Sequence, residues 1–247
     1  MENARMQDAK LNKLLQSEAE SQGCNCIGIA EINEGIKQEF TKDFSIEGTP
    51  AKFVVILAMV LEDPIQDAWT QSPLWPVGKN YIDEALAHVA TQLALMLTKR
   101  GYPSRPLGYG GSYLKHLAVH AGMGVIGRNN LLITPQYGPH LRLRGLLTQA
   151  PLFPSKCLIG KFNPCAKCSN PPPCIKVCPS NAFTNPQGEI LQSDRDNIQA
   201  PRSGYQKEIC RTFSIQNLRE VGPFTYIWCR ACEEACPIGV ENLLKKE

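Results

Sequence analysis

The sequence predicts an α+β protein in two parts: residues 1–150 form an alternating α/β domain, and residues 151–247 a domain held by metal. Three observations lead there. Over the first 150 residues, apolar runs of strand length alternate with apolar stripes at helical spacing. Eight of the eleven cysteines (165, 168, 174, 178, 210, 229, 232 and 236) fall in the last 83 positions. Between 153 and 178 the chain is dense in Pro and Cys with no long periodic segment, so it needs something other than an apolar core to order it.

The elements follow in order. Residues 4–22 place Leu11, Leu14 and Leu15 on one helical face, with Met6 a turn earlier. Residues 26–30 read as a short buried strand. Residues 53–60, β-branched, apolar and preceded by Pro50, read as a stronger one. From 81 to 100, Ile82, Leu86, Val89, Leu93 and Leu97 fit a helix packed on a sheet and stopped by Gly101. A shorter helix is expected over 112–121, then strands at 131–133 and 141–147 on either side of a TPQYGPH turn. Beyond Pro151, the polar stretch 189–203 reads as a surface excursion and 205–218 as one short helix.

Composition removes several classes of function. With 43% apolar and 20% charged residues the chain is too apolar for disorder. Its longest apolar run, nine residues over 53–61, falls well short of the roughly 20 that a membrane helix needs. The charged N-terminus has no apolar signal region and no paired arginines, so a cytoplasmic location without membrane insertion is expected. In that reducing compartment, clustered cysteines bind metal more often than they form disulfides. The formal charge is +3, and eight thiolates on two clusters of core charge +2 would bring it to about −1, so nucleic acid is not an expected partner.

The cysteines read C-x2-C-x5-C-x3-C-P over 165–179 and C-x2-C-x3-C-P over 229–237, with Cys210 nineteen positions before Cys229. This resembles a two-cluster bacterial ferredoxin, in which the Cys before each Pro ligates the cluster opposite to its neighbours. The resemblance implies one [4Fe–4S] cluster on Cys165, Cys168, Cys174 and Cys236, and another on Cys178, Cys210, Cys229 and Cys232. The five-residue gap 169–173 is longer than the two residues of the commoner motif, which makes Cys157 a rival to Cys174. Two tetrahedral zinc sites are the alternative use of eight thiolates. Cys24 and Cys26 flank a single Asn near a strand, where buried thiols are routine.

Residues 117–152, LAVHAGMGVIGRNNLLITPQYGPHLRLRGLLTQAPL, are similar to a stretch shared by reductive dehalogenases and epoxyqueuosine reductases. The matching residues are Ala121, Gly122, Gly124, Gly127, Arg128, Asn129, 131–135 and 137–139. Arg142, TPQYGP and LLTQAPL look more like the dehalogenase form. The likeness extends over about residues 78–238. It implies a nitroreductase-like α/β domain binding cobalamin base-off, followed by the two-cluster ferredoxin-like domain, which passes single electrons to the corrin. An external one-electron donor such as ferredoxin or flavodoxin and a small organic substrate are the implied partners. Nothing in the residues sets an oligomeric state.

On that resemblance Tyr81 is the expected proton donor, assisted by Lys79 or Arg128, with Tyr109 and Tyr113 as rivals in a glycine-rich loop. Gly122, Gly124 and Gly127 would let a wide planar ligand approach the backbone, with Arg128, Asn129 and Tyr109 at its edge. The same glycines equally suit a helix-to-strand turn, and Met123 is expected in the core. Epoxyqueuosine reductases carry a catalytic Asp before this block and a tRNA-recognising tail. No acidic residue stands between Arg100 and Gly124, and ten residues follow Pro237. A cobalamin-dependent reductase is therefore expected, against an electron-transfer protein or a corrinoid activator serving a partner enzyme.

Overall fold

The computed structural model describes residues 2–39, 44–72, 75–108, 114–191 and 204–239. In chain order its elements are α1 (Glu2–Ser21), β1 (Cys26–Glu31), α2 (Glu34–Glu39), β2 (Ser45–Ile46), β3 (Thr49–Pro50) and β4 (Phe53–Val60). A 3₁₀ turn (Pro64–Asp67) leads to β5 (Trp69–Ser72), β6 (Trp75–Asn80), α3 (Tyr81–Lys99), β7 (Ser104–Pro106) and α4 (Leu114–His120). Then come β8 (Val125–Ile126), β9 (Leu132–Ile133), β10 (Leu141–Thr148) and a second 3₁₀ turn (Pro164–Lys167). The chain closes with α5 (Pro173–Lys176), α6 (Lys207–Gln216), β11 (Arg219–Gly222), β12 (Thr225–Ile227) and α7 (Ala231–Glu234).

This is a mixed α/β chain of two compact units that alternate along the sequence. One comprises Met1–Val60, Ile82–Met123 and Arg142–Cys157; the other comprises Leu61–Tyr81, Gly124–Leu141 and Leu158–Glu247. A single cut near residue 150 does not describe this partition. The physical reason is pairing between segments distant in sequence: β12 pairs with β5 through Thr225↔Thr70 and Tyr226↔Trp69, drawing residues 61–81 into the unit that holds the cysteine motifs.

In the first unit the sheet order is β1-β4-β10-β7. β1 lies antiparallel to β4, from Cys26↔Ala58 to Glu31↔Phe53. All of β4 but Phe53 is buried, because both its faces are covered, and this explains its unbroken apolar run. Val55, Leu57 and Met59 pack with Leu15 of α1 and with Leu86, Leu93 and Leu97 of α3, while α4 lies against β1 and β4. Asp83 on α3 and Arg144 on β10 form a buried ion pair that fixes helix on sheet. At Gly28 a Cβ would stand 2.5 Å from Met123 Cγ, so the chain after α4 rests directly on β1 and Met123 is part of the core, as expected.

The second unit carries a sheet of order β11-β12-β5-β6 and a hairpin in which β8 pairs with β9. The strands expected around TPQYGPH both exist, but they are not partners: β9 pairs with β8, and β10 joins the first unit's sheet. Segment 153–178 holds only a 3₁₀ turn and the one-turn α5, and the expected helix over 205–218 is α6. Around the cysteine loops the buried cluster is Cys174, Ile175 and Phe183, backed by Cys178, Ile190 and Cys232. The cysteines are themselves part of the local core. Most of the expected surface excursion, 192–203, lies outside the described residues.

Candidate metal centre

Cys165 sits in the 3₁₀ turn Pro164–Lys167, and Cys168 caps it, its N–H donating to the Cys165 carbonyl at 3.2 Å. Cys174 is in α5, and Cys236 follows α7, its N–H donating to Glu233 O at 3.1 Å. These four cysteines line one small cavity with Arg128 and Pro237. Burial, then the thiols of Cys236, Cys165 and Cys168, pushes Cys174 up to about 12. Cys236 is likewise raised by burial, then by Cys165 and Cys168, against a lowering hydrogen bond from the Ile238 N–H. Cys165 is raised by burial while the Arg128 backbone N–H and guanidinium oppose the shift.

The insertion 169–173 resolves into an exposed part and an inner part. Ser169, Asn170 and Pro171 are exposed, whereas Pro172 and Pro173 turn in to line the cavity and deliver Cys174 at the head of α5. Cys157 is exposed and belongs to the first unit.

Cys178, Cys210, Cys229 and Cys232 form the other group. Burial pushes Cys232 up to about 12, with further contributions from Glu233, Cys178 and Cys210. Cys229 is raised by burial and, more weakly, by Cys210 and Cys178, and it accepts a hydrogen bond from the Ala231 N–H. Tyr205 is driven above the ordinary phenol range by burial and by its hydrogen bond with Cys210. Its ring lies 5.4 Å from that of Phe183. Among the described residues, no group of three or more His, Cys, Asp or Glu is arranged to hold one metal ion.

Both groups pose the same chemical problem. Burial raises Cys165, Cys174 and Cys236 in the first group and Cys229 and Cys232 in the second, and a cationic centre that bound four thiolates would reverse that balance. Backbone N–H groups already aimed at Cys165, Cys229 and Cys236 supply hydrogen bonds that favour the thiolate once it forms.

The glycine-rich block packs closely against the protein's own chain. A Cβ on Gly122, at φ +72° just beyond α4, would meet the Lys156 carbonyl oxygen at 2.4 Å. One on Gly124 would meet the Ile133 carbonyl oxygen at 2.2 Å, and one on Gly127 the Ile133 side chain at 2.7 Å. The space that a side chain would need is filled by the protein's own chain, and the helix-to-strand turn accounts for glycine at these positions. At Gly138, φ +55°, a Cβ would stand 1.8 Å from the Ile238 carbonyl oxygen. The YGP turn is thus the bed on which the loop after Cys236 lies.

Arg128 and Asn129 also face cysteines. Both line the cavity of the first group, and Asn129 Nδ2 donates to the Cys232 carbonyl at 3.3 Å while its Oδ1 accepts from the Leu131 N–H. Tyr81 is 48% exposed at the start of α3. The Lys79 side chain, Tyr109 and Tyr113 lie outside the described residues. Burial raises the thiols of Cys24 and Cys26 to about 12 and 11; Cys24 is buried in the core and Cys26 is half-buried at the start of β1.

Sequence reasoning missed three buried polar residues near the cysteines. Arg230 Nη2 donates to Glu233 Oε1 at 2.6 Å, and His140 Nδ1 lies 3.9 Å from the same oxygen. The Glu233 carboxylate raises both Cys232 and Cys236, one thiol from each group. Arg230 and Glu233 stand in plain view in CRACEEAC, but charges beside cysteines read as solvated faces until burial is known.

No family model matches the chain. Its homologues are reductive dehalogenases and epoxyqueuosine reductases. A tetrachloroethene reductive dehalogenase of Desulfitobacterium hafniense is 35% identical over 147 residues, 57% of this chain and 26% of the relative. The epoxyqueuosine reductase of Bacillus subtilis (strain 168) is 25% identical over 122 residues, 49% of this chain and 28% of the relative. The chain therefore spans about a quarter of the length of these relatives in its matches. Solved structures in both families share the fold. A catabolic reductive dehalogenase with 3-bromo-4-hydroxybenzoic acid bound gives a TM-score of 0.65 at 16% identity, covering 94% of this chain and 32% of that one. An epoxyqueuosine reductase with a tRNA stem loop gives 0.62 at 18% identity, covering 95% and 66%.

Proposed function

We propose that the chain is an iron–sulfur oxidoreductase holding two [4Fe–4S] clusters, which deliver single electrons to a cobalamin that reduces a small organic substrate. The observation that carries the cluster part is the division of eight cysteines into two electrostatically linked groups. Each group takes its lone Cys-Pro member from the opposite motif: Cys236 stands with Cys165, Cys168 and Cys174, and Cys178 with Cys210, Cys229 and Cys232. That interleaving is what a ferredoxin-like module requires. The thiols are the ligands, the N–H groups of Arg128, Ala231 and Ile238 hold thiolate charge, and Arg128 adds a cation beside Cys165.

Cobalamin enters through the relatives alone. One structural neighbour is a reductive dehalogenase described as B12-dependent, with a TM-score of 0.61 at 17% identity. When bound, a corrin supplies low-valent cobalt for the reduction. The close packing at Gly122, Gly124 and Gly127 is accounted for by the protein's own chain, and no residue of that block is assigned to the corrin. Tyr81, exposed and at a helix start, is the proposed proton donor. Dehalogenase relatives match at 35–36% identity and epoxyqueuosine reductases at 25–33%, and the dehalogenase matches reach 57–58% of this chain against 49–50%, which supports a small organic substrate over tRNA. The filled glycine spaces favour one second reading, an electron-transfer protein or corrinoid activator serving a partner enzyme.

Anaerobic purification from cells grown with cobalamin, then analysis for iron, sulfide and cobalt, tests this. About eight iron and eight sulfide per chain are expected. Zinc without sulfide would remove the redox reading. Clusters with no saturable cobalamin binding up to about 100 μM, weaker than roughly −5.5 kcal/mol, would select the electron-transfer reading. Tyr81→Phe is expected to slow turnover with iron and cobalamin content unchanged.

A further inference from the structure

Arg230 stands between Cys229 and Cys232, at the N-cap of α7, where its carbonyl accepts from the N–H groups of Glu233 and Glu234 at 2.9 Å each. Its side chain is buried, with 7% of the residue exposed. One edge of the guanidinium is tied down, Nη2 donating to Glu233 Oε1 at 2.6 Å. The other edge, Nε and Nη1, is excluded from water and has no hydrogen-bond partner. A guanidinium cannot deprotonate to escape that cost. Buried donors without acceptors are strongly unfavourable, more so when charged, so such an edge is retained where an acceptor belongs to the working state.

We propose that Arg230 is a positioning residue for the cluster held by Cys178, Cys210, Cys229 and Cys232, donating through Nε and Nη1 to its sulfur atoms and raising its reduction potential. The proposal rests on the assignment of that quartet to a [4Fe–4S] cluster. Fixed positive charge and hydrogen bonds to sulfur both favour the state with one more electron, and they are principal means by which a protein sets a cluster's potential. Glu233 pulls the other way. Its carboxylate opposes added negative charge at Cys232 and Cys236, one cysteine of each quartet.

The test is an anaerobic EPR redox titration of the full chain with both clusters, the signal of this quartet being the one lost in Cys210→Ser. In Arg230→Met with full iron content, the reduced-to-oxidised ratio of that cluster at fixed potential is expected to fall about tenfold, which is about 59 mV for one electron. Arg230→Lys, which keeps charge and loses the fork, should fall between the two. Glu233→Gln should shift both clusters in the opposite direction. Unchanged midpoints in an iron-replete Arg230→Met overturn the proposal, as does a shift confined to the other cluster. If Arg230→Met fails to take up iron, Arg230→Lys decides by the same criterion. Loss of iron in both would make Arg230 a folding residue and end the proposal. A parent chain without iron and sulfide would instead overturn the cluster assignment itself.

Discussion

In the first unit Leu15, Val55, Leu57, Leu86, Leu93 and Leu97 are wholly excluded from water between a sheet and its helices. Around the cysteines of the second, the buried cluster is Cys174, Ile175 and Phe183, with Arg230 and Glu233 buried nearby. The first kind of interior is stable by apolar burial, at about 1.5–3 kcal/mol for each large side chain. The second places thiols and charges where apolar groups would serve stability better, which makes sense only if something binds them. One interior is closed by apolar side chains, and the other is the one that the proposed clusters would complete.

Metal removal should expose this difference most strongly. Chelation under reducing conditions is expected to abolish amide protection in α5, α7 and the loops around the cysteines, while β4 and α3 stay protected. Hydrogen exchange read by mass spectrometry checks this. Uniform loss across both units would contradict the contrast, because the apolar core of the first needs no cluster.

A core truncation should do the reverse. Leu93→Ala removes a side chain with no exposure from the centre of α3 and should cost about 2–5 kcal/mol. Thermal unfolding should show the loss in the first unit, with iron per chain unchanged at a temperature where the variant remains folded.

Gly124→Ala tests the scaffold under the cysteine loops. Its Cβ would lie 2.2 Å from the Ile133 carbonyl oxygen, so the β8–β9 hairpin must shift, at about 1–3 kcal/mol. Arg128 and Asn129 sit in the turn of that hairpin and face the cysteines, so reduced iron retention is the expected readout. A ligand cradle would instead have predicted intact clusters and impaired cobalamin binding.

These contrasts also explain what could be read from the residues alone. β4 and α3 were legible because their patterns are local: a continuous apolar run and a 3.6-residue stripe, over 53–60 and 81–100. The cysteine spacings are local too, and Cys165, Cys168, Cys174 and Cys236 line one cavity. The β11-β12-β5-β6 sheet was not, since Thr225↔Thr70 joins segments with no shared periodicity. The glycines are ambiguous for a related reason: a missing side chain signals close approach without saying of what, and at Gly122 and Gly124 the protein's own backbone is one such neighbour. Arg230 and Glu233 were invisible because burial, not identity, makes them unusual.

The smallest expected effect concerns Cys157, the rival created by the long 169–173 insertion. Cys174 is buried, lines the first cavity, and is linked electrostatically to Cys236, Cys165 and Cys168. Cys157 is exposed and belongs to the other compact unit. Exposed substitutions away from special features change stability by less than about 0.5 kcal/mol. Cys157→Ser should therefore leave iron and sulfide content, both EPR signals and the melting temperature unchanged. Cys174→Ser should lose the signal of the first cluster and keep that of the second. Half the iron lost in Cys157→Ser would move the fourth ligand to residue 157, and the cavity that encloses Cys174 would then need another occupant.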